Sequence, residues 1–490
     1  MVRRWINDSS IGDKTKTLLK GIQDNRYQSN EEAMLHIYNN LENGANFRKL
    51  KSRLKEKLVD ELLTLNLEKR YTSRAQKSLH KSIKNWVSAK ILLDIGYRKI
   101  AVELMEAILI QTLKFDQTEL SLMLVKELKL NFGVYRYNKL KHNKYLKLYQ
   151  TLKKTYDLKE LFEELFASLG YKVSVEKSIT YNVEIQNTER KVNELSPEVN
   201  RIDSYYLRLY YYNVKFFINM IKKDFNEQLN ISNNAIVYFE KKIGYRKTAL
   251  FSFYQKKGIG LISLGMLDKA IQIFNKCLSF KPTTGGVSWQ SVHNHLFVCH
   301  TLKRDFNTCH KVLCTVMNNP KFDKINRVFR QHWYIKEAFI YILNKNNKIN
   351  HELLDVAPIR KFRINRFLNE IPLLSKDRKG HSTTIHIIHM IFLIIEKQYD
   401  SALNKILSLK QYSFRHLKTS EYDRVKTFIK MLVKVPENNY QLTIIKKKTK
   451  YLHQKLLTTP MDFSEQSMSI EIIPYEQLWD EILELLNNKK

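Results

Sequence analysis

The chain contains little glycine, proline or cysteine. Its 490 residues include 13 Gly, 8 Pro and 4 Cys. Scarce glycine and proline exclude a fold built from many tight turns and favour long, uninterrupted helices. The cysteines are Cys277, Cys299, Cys309 and Cys314. All four fall within helical patterns, so a disulfide framework of the secreted kind is not expected.

Long apolar runs are also missing. The chain starts with MVRRWINDSS, and no central apolar segment follows, as a secretory signal would require. The most apolar stretch, Ile385 to Ile395, is too short to span a bilayer and is interrupted by histidine. The sequence therefore predicts a cytoplasmic protein without membrane insertion.

Acidic residues are outnumbered. The chain has 83 Lys and Arg against 49 Asp and Glu, a formal charge of +34. Such a field attracts nucleic acid, acidic proteins and anionic lipid. However, Lys far outnumbers Arg, and Asn, Ile and Tyr are abundant, so the base composition of an AT-rich genome would give the same excess. Both interpretations stay open at this point.

The stretch from Tyr254 to Pro282 has the spacing of two helices that pack on each other. Gly258 stands where the helices touch, Gly265 ends the first helix, and Pro282 stops the second. The apolar inner-face positions are Leu261, Leu267, Ala270, Phe274 and Cys277. A unit of this kind cannot bury its apolar face alone, so it predicts stacked neighbours.

The same offsets recur elsewhere. One copy contains Ala89, Leu92, Gly96, Ala101, Met105 and Ile108. A weaker copy contains Met390, Leu393, Lys397, Ala402, Ile406 and Leu409, and a fourth lies around Leu296, Cys309, Leu313 and Val316 with Arg304 at the glycine position. Because Lys397 replaces the glycine that ends the first helix, we expect a different turn there.

These spacings resemble the tetratricopeptide (TPR) superfamily. Two further stretches, NFRKLKSRLKEKLVDELL at Asn46 to Leu63 and KFRINRFLNEIPLLSKDRKG at Lys361 to Gly380, resemble segments of a group of uncharacterised bacterial helical-repeat proteins. The resemblance implies an all-α fold: an α-solenoid of TPR-like antiparallel helix pairs with a small N-terminal helical bundle. It implies no enzymatic activity.

The pattern divides the chain into six regions. They are a three-helix region with a basic third helix (1–71), a first helical-repeat segment (72–172), a polar linker or solvent-facing helix (173–200), central TPR-like repeats (201–345), C-terminal helical repeats (346–460) and an acidic capping helix (461–490). In the first region, Ser29 and Glu32 form a capping box. The basic helix carries an apolar stripe of Phe47, Leu50, Leu54, Leu58 and Leu62.

Residues with metal-binding or catalytic chemistry occur without a matching motif. One cluster contains His293, His295, Cys299, His300, Cys309, His310 and Cys314, and a second contains His381, His386 and His389. Structural zinc sites use tight Cys pairs on turns, whereas these cysteines occupy inner-face positions, which favours packing. The glycines of GIGLISLG follow no strand, as a phosphate loop would require. No catalytic residue, metal or cofactor is therefore predicted, and an enzyme is not favoured.

The favoured hypothesis is a non-enzymatic scaffold that binds an acidic protein or peptide on a concave surface. The candidate partner-binding residues are Tyr254, His293, Arg360, Lys361, Arg363, Arg366, Lys376, Arg378 and Lys379. The alternative is RNA or DNA binding through basic helices and aromatic stacking. Its candidates are Arg48, Lys49, Lys51, Arg53, Lys55 and Lys57. The simpler explanations are a solvent-exposed loop for the basic residues between positions 360 and 379, and a solvent-exposed helix face for those between positions 48 and 57.

Overall fold

The protein is all-helical throughout the part of the chain that the structure, a computed structural model, describes. That part comprises residues 12–24, 26–64, 73–175, 181–245, 247–325, 327–350, 362–370, 381–417, 422–459, 461, 471 and 473–487. No strand occurs within these ranges, which confirms the predicted all-α class. None of the helices described is both long enough and apolar enough to cross a bilayer.

The chain divides into two compact units. The first comprises residues 1–153 and 244–246, and the second comprises 154–243 and 247–490. In the first unit lie α1 (Asp13–Gln23), α2 (Asn30–Tyr38), α3 (Gly44–Thr64), α4 (Arg74–Asp94), α5 (Arg98–Lys114), α6 (Thr118–Leu130), a π-helical turn (Asn131–Tyr135) and the first part of α7 (Lys139–Val175).

The second unit contains the remainder of α7 and fourteen further helices among the residues described. These are α8 (Val183–Arg201), α9 (Tyr205–Lys222), α10 (Phe225–Glu240), α11 (Thr248–Ser263), α12 (Leu267–Ser279), α13 (Val287–Leu302), α14 (Phe306–Met317), α15 (Arg327–Lys345), α16 (Ile364–Glu370), α17 (His381–Ile395), α18 (Tyr399–His416), α19 (Asp423–Glu437), α20 (Leu442–Thr458) and α21 (Tyr475–Asn487). A short 3₁₀ turn, Phe322–Lys324, precedes α15.

The helices α1 to α3 share one apolar cluster. Its buried members are Leu18, Leu19, Ala33, Phe47, Leu50 and Leu54. The predicted stripe of the basic helix is thereby confirmed as far as Leu58, which packs against the cluster, and the side chain of Leu62 lies outside the described residues. The Ser29 hydroxyl accepts from the Glu32 amide at 3.2 Å, as a capping box requires, while the Glu32 carboxylate accepts from the Gln28 amide.

The segment 173–200 contains α8, which buries one face. Ile185, Val192 and Val199 are spaced seven residues apart, so they form one stripe, and all three are buried against α9 and α7. The rest of the helix is polar. Because the stripe contains only three apolar residues, the sequence of this segment predicts a polar linker or a solvent-facing helix. The structure shows a helix with one buried face.

The predicted close approach of two helices at Gly258 is confirmed. An added Cβ at Gly258 would lie 2.5 Å from the Phe274 Cζ on α12, so no larger residue fits there without rearrangement. Of the other inner-face positions of this pair, Leu261, Ala270, Phe274 and Cys277 are buried and Leu267 is half-buried. The first helix ends at Ser263 and the second begins at Leu267.

One turn recurs after eight of the described helices. After α11, the Gly265 amide donates to the Ile262 carbonyl and the Met266 amide donates to the Leu261 carbonyl, the two bonds of a Schellman motif. The same two bonds follow α4, α5, α9, α13, α15, α17 and α19. The left-handed residue in each turn is Gly96, Asp116, Lys223, Gly265, Arg304, Asn347, Lys397 or Asn439.

The expectation of a different turn at Lys397 is wrong. Lys397 has φ of +60° and makes the same hydrogen bonds as Gly265, and Arg304, with φ of +57°, does likewise. A left-handed backbone costs a non-glycine residue about 1–2 kcal/mol. The two turn bonds and the packing of both helices hold the backbone in place, so tertiary structure overrides the preference of the single residue.

In the second unit these turns follow one another at nearly regular intervals. The left-handed residues at positions 223, 265, 304, 347, 397 and 439 are separated by 42, 39, 43, 50 and 42 residues. Each interval contains two of the described α-helices, which are long except for the seven-residue α16 in the interval 347–397. The feature that recurs in the second unit is therefore a pair of helices that ends in this turn.

Alternate helices of the second unit are linked by polar side chains. Between α9 and α11, Lys256 donates to the Asn213 amide oxygen at 2.8 Å. Between α11 and α13, Gln255 donates to the Ser291 hydroxyl at 3.1 Å. Between α13 and α15, the Trp333 indole donates to Gln290 at 2.6 Å and Lys336 donates to Asn294 at 2.6 Å. In the last two bonds, the earlier residue of α13 contacts the earlier residue of α15, and the later residue contacts the later one. These two helices therefore run in the same direction.

The C-terminal helix α21 is buried among other helices of the second unit. Its Trp479 and Tyr475 belong to the largest apolar cluster, and Gln477 donates to the Thr301 carbonyl on α13 at 2.6 Å. The Asn346 amide donates to the Glu481 carboxylate at 2.6 Å. The region 461–490 therefore holds the predicted acidic helix, and several of its acidic and polar side chains make contacts inside the unit.

Candidate partner-binding surfaces

The two aromatic candidates from the central repeats are buried. The Tyr254 hydroxyl donates to the Glu240 carboxylate at 2.8 Å, and burial together with this bond raises the pKa of Tyr254 to about 12. The His293 ring lies 4.0 Å from the Trp289 ring, and its Nδ1 lies 2.9 Å from the Trp289 carbonyl oxygen. Burial lowers the pKa of His293, so the ring is neutral at pH 7. Both side chains are engaged in helix packing.

The basic candidates around α16 fall in two groups. Arg363 and Arg366 are exposed, the first just before α16 and the second within it. The remaining candidates of this set, Arg360, Lys361, Lys376, Arg378 and Lys379, lie outside the described residues. The structure thus places two of the seven predicted basic side chains, and both face solvent.

The basic candidates on α3 surround its buried stripe. Arg48, Lys49, Lys51, Arg53 and Lys55 are exposed, and Lys57 is half-buried. The Lys51 ammonium donates to the Asn30 side chain at 3.0 Å, which links α3 to the start of α2. The other faces of α3 therefore carry solvated positive charge.

The cysteine and histidine clusters behave as packing residues. All four cysteines are buried free thiols, and burial raises the pKa of Cys277, Cys299 and Cys309 to about 12, so thiolate is scarce at neutral pH. Within the described residues, no group of three or more His, Cys, Asp or Glu side chains is arranged to hold a metal ion. Burial also lowers the pKa of His386 to about 4 and, less far, that of His389.

A buried lysine lies between α13 and α15. Lys336 is 1 % exposed, its ammonium donates to Asn294 at 2.6 Å, and it lies 4.9 Å from the centroid of the Trp333 ring. Burial lowers the pKa of Lys336 to about 7. Nearby His295 is also buried, with a pKa lowered to about 4, and its Nε2 has no partner among the described groups. This enclosed amine fixes the register of two helices and offers no open surface to a substrate.

An exposed apolar ridge runs along α4. It consists of Leu79 (38 % exposed), Ile83 (44 %), Val87 (42 %) and Ile91 (54 %), one residue from each successive turn. A neighbouring face of α4 is buried through Ala75, Ser82 and Ala89. The i, i+4 spacing of these four residues is visible in the sequence, where such a spacing is typical of a buried core stripe. Only the structure separates the ridge from the buried side.

Basic side chains accompany this ridge, which we name the α4 ridge. Lys84 is half-buried and lies three residues before Val87, directly beside the ridge. On the other flank, Lys90 pairs with Glu127 at 3.0 Å. The exposed Lys77 and Lys81 lie two residues from ridge positions and project from the far side of α4. The surface is therefore an apolar line with Lys84 on one side and the Lys90–Glu127 pair on the other.

A second basic surface, missed in the sequence, lies on α20. Its sequence, LTIIKKKTKYLHQKLLT, buries Ile445, Thr449 and Leu456 and exposes all five lysines. Tyr451 is 78 % exposed in the middle of them. The sequence alone does not distinguish this segment, because lysine-rich stretches occur throughout the chain.

Searches with this chain against protein-family models, curated proteins and solved structures find no match.

Proposed function

We propose that the protein is a non-enzymatic helical-repeat scaffold, an α-solenoid of TPR-like helix pairs, that binds an acidic protein or peptide. The recurring Schellman turn and the polar links between alternate helices support this architecture. The repeat length is greater than that of a standard TPR, which has roughly 34 residues. The intervals are 39 to 50 residues and mostly fall near the roughly 40–47 residues of HEAT and armadillo repeats, as measured between the turns at positions 223, 265, 304, 347, 397 and 439.

The α4 ridge is the observation that carries the proposed function. Four partly exposed aliphatic side chains in one line match the i, i+4 anchors of an amphipathic helix laid against them. Completing their burial would contribute about 1 kcal/mol each, about 4 kcal/mol in all, before the costs of association. The positive charge of Lys84 beside the ridge favours a partner with acidic flanks, because it steers the approach of such a partner and selects against basic peptides.

A pair of synthetic peptides tests the proposal. Both would be amphipathic helices with one apolar stripe, flanked by glutamates in the first peptide and by lysines in the second. We expect fluorescence anisotropy to show that the full chain binds the acidic peptide, more weakly as salt rises, and does not bind the basic one. The Ile83→Asp/Val87→Asp variant should lose this binding.

The matched control is Ile110→Asp/Met123→Asp, which places two charges on exposed apolar positions of α5 and α6 away from the ridge. It should bind the acidic peptide as the unmodified chain does. Equal binding of both peptides, or an equal loss in the control and ridge variants, would contradict the assignment of the α4 ridge.

Nucleic-acid binding is the second candidate function, and it is favoured by the exposed basic side chains of α3. Counterion release makes the affinity of such a complex fall steeply with salt. A labelled oligonucleotide that shows no binding to the full chain at 50 mM salt would eliminate this candidate. The α4 peptide test is unaffected by that outcome.

A further inference from the structure

The five lysines of α20 are grouped on one helix without carboxylate partners. Some exposed lysines of the second unit do meet a carboxylate, as in Lys222–Glu189 at 2.8 Å and Lys348–Glu484 at 2.7 Å. In α20, Lys446, Lys447, Lys448, Lys450 and Lys455 make no ion pair with any described residue, and the helix contains no acidic residue. The face therefore carries concentrated charge that its described neighbours do not neutralise.

The charges share one face with an aromatic ring. Lys447, Tyr451 and Lys455 are spaced by four residues and Lys448 adjoins them, so all four side chains lie on one stripe of the helix. The stripe is about 12 Å long, from the rise of 1.5 Å per residue. Tyr451, at its centre, presents a ring that its neighbours barely cover.

The helix that carries this stripe is firmly held. Ile445 and Leu456 are fully buried on its opposite side. At its C-terminal end, the Arg424 guanidinium donates to the Leu456 carbonyl at 2.8 Å and to the Glu471 carboxylate at 2.7 Å. Carbonyls at a helix end need such partners. The stripe is therefore a preorganised surface.

This chemistry fits an unpaired polynucleotide better than other polyanions. Lysines meet phosphates as point charges, and an exposed aromatic ring offers its face to a base, which a duplex keeps stacked inside. An anionic membrane requires a continuous apolar face to insert, but Ile445 and Leu456 of α20 are buried, and the exposed Ile444 and Leu457 lie on different sides of the helix. An acidic protein would use the lysines and leave the ring without a specific partner.

We propose that the outer stripe of α20 binds single-stranded nucleic acid, with Lys447, Lys448 and Lys455 on phosphates and Tyr451 stacked on a base. This inference gives the second candidate function a specific site, which is separate from α3. It is independent of the α4 ridge and of the peptide proposed to bind there.

The test uses the full chain and a fluorescein-labelled 20-nucleotide oligothymidylate, with anisotropy measured between 50 and 300 mM salt. For single strands the slope of log K against log salt is about −0.7 per phosphate contact. The variant Lys447→Gln/Lys448→Gln/Lys455→Gln should therefore reduce the slope by about 2. Tyr451→Ala should weaken binding about 5- to 150-fold, and Tyr451→Phe should preserve it, because stacking needs the ring and not the hydroxyl.

Matched controls separate the site from net charge. Lys269→Gln/Lys276→Gln/Lys311→Gln removes three exposed charges from α12 and α14, and Tyr171→Ala removes an exposed ring from α7. Both should retain the slope and the affinity, and thermal unfolding should show that every variant is folded.

Three results would overturn the proposal. One is a Tyr451→Ala affinity within twofold of the unmodified chain. Another is the same slope change in both lysine triples, in which case the oligonucleotide binds elsewhere and the second candidate function still stands. The last is binding of the unmodified chain to phosphatidylserine vesicles or to the acidic peptide through these lysines, with none to the oligothymidylate.

Discussion

Replacing the buried lysine between α13 and α15 should stabilise the protein at neutral and acidic pH. Lys336 is 1 % exposed, and its ammonium donates a hydrogen bond to Asn294 at 2.6 Å. Lys336→Met retains a flexible chain of similar length and removes the charge. The surrounding Phe297 and Trp333 rings can pack against the thioether.

The expected size of the stabilisation follows from the pKa of Lys336. Burial lowers the pKa of Lys336 to about 7, whereas an unfolded lysine has a pKa of about 10.4. Below pH 7 the native state must hold a charge that it disfavours, so folding is penalised by an amount on the order of 4 kcal/mol. Between pH 7 and about 10.4 the unfolded state binds more protons, so this penalty fades as pH rises. Above that range Lys336 is neutral in both states.

The net gain in the free energy of unfolding of Lys336→Met is smaller than the full penalty of holding the buried charge. Lys336→Met removes the hydrogen bond that the ammonium donates to the Asn294 amide oxygen, at a cost of about 1–3 kcal/mol. His295 is neutral beside Lys336 across this range because its pKa is about 4. We therefore expect Lys336→Met to raise the free energy of unfolding by about 1–3 kcal/mol at pH 6, and to lower it by a similar amount near pH 10.

Urea unfolding followed by tryptophan fluorescence measures this effect, because Trp333 lies against Lys336 and reports on the second unit. Lys345→Met, which removes an exposed charge from the same helix, is the matched control and should change stability little at any pH. A stability difference between Lys336→Met and the unmodified chain that is constant from pH 6 to pH 10 would refute the reasoning. So would a loss of stability at pH 6.

Two further substitutions test the repeat geometry by thermal unfolding. Gly258→Ala should destabilise the second unit by about 1–3 kcal/mol, because its Cβ would lie 2.5 Å from the Phe274 ring, and an unchanged melting temperature would contradict this close approach. Lys397→Gly should stabilise the turn after α17 by up to about 1 kcal/mol, since glycine relieves the left-handed strain at φ of +60° but loses more entropy on folding, and a loss of stability would show that Lys397 is not strained.

Helix periodicity was sufficient to predict the all-α class and the contact at Gly258. The offsets around Gly265 and Gly96 mark real helix ends, because glycine is the residue that most readily takes the left-handed position. The same rule failed at Lys397, and Arg304 also takes the left-handed position without being glycine. At both sites the identical turn is set by the hydrogen bonds and by the packing of the two helices, which a single residue's preference does not reveal.

The candidate surfaces were harder to predict, because the sequence does not tell which side of a helix is covered. Tyr254 on α11 and His293 on α13 are polar aromatic residues, and the structure buries both. Ile83 and Val87 look like core residues, and the structure leaves both exposed. Side-chain type gives the period of a helix, whereas the assignment of each face depends on neighbours that lie far away in the chain.

The positive charge of the chain is sorted by position, and this bears on whether it is only compositional. A base-composition bias adds lysine without regard to the fold. In several helix contacts the lysines meet carboxylates, as in Lys90–Glu127 and Lys222–Glu189. In α20 five lysines share a helix with no acidic residue and with an exposed Tyr451. Base-composition bias accounts for the number of lysines and not for their grouping around an exposed ring, so the placement of the charge is the property to test, and the two lysine triples test it at equal net charge.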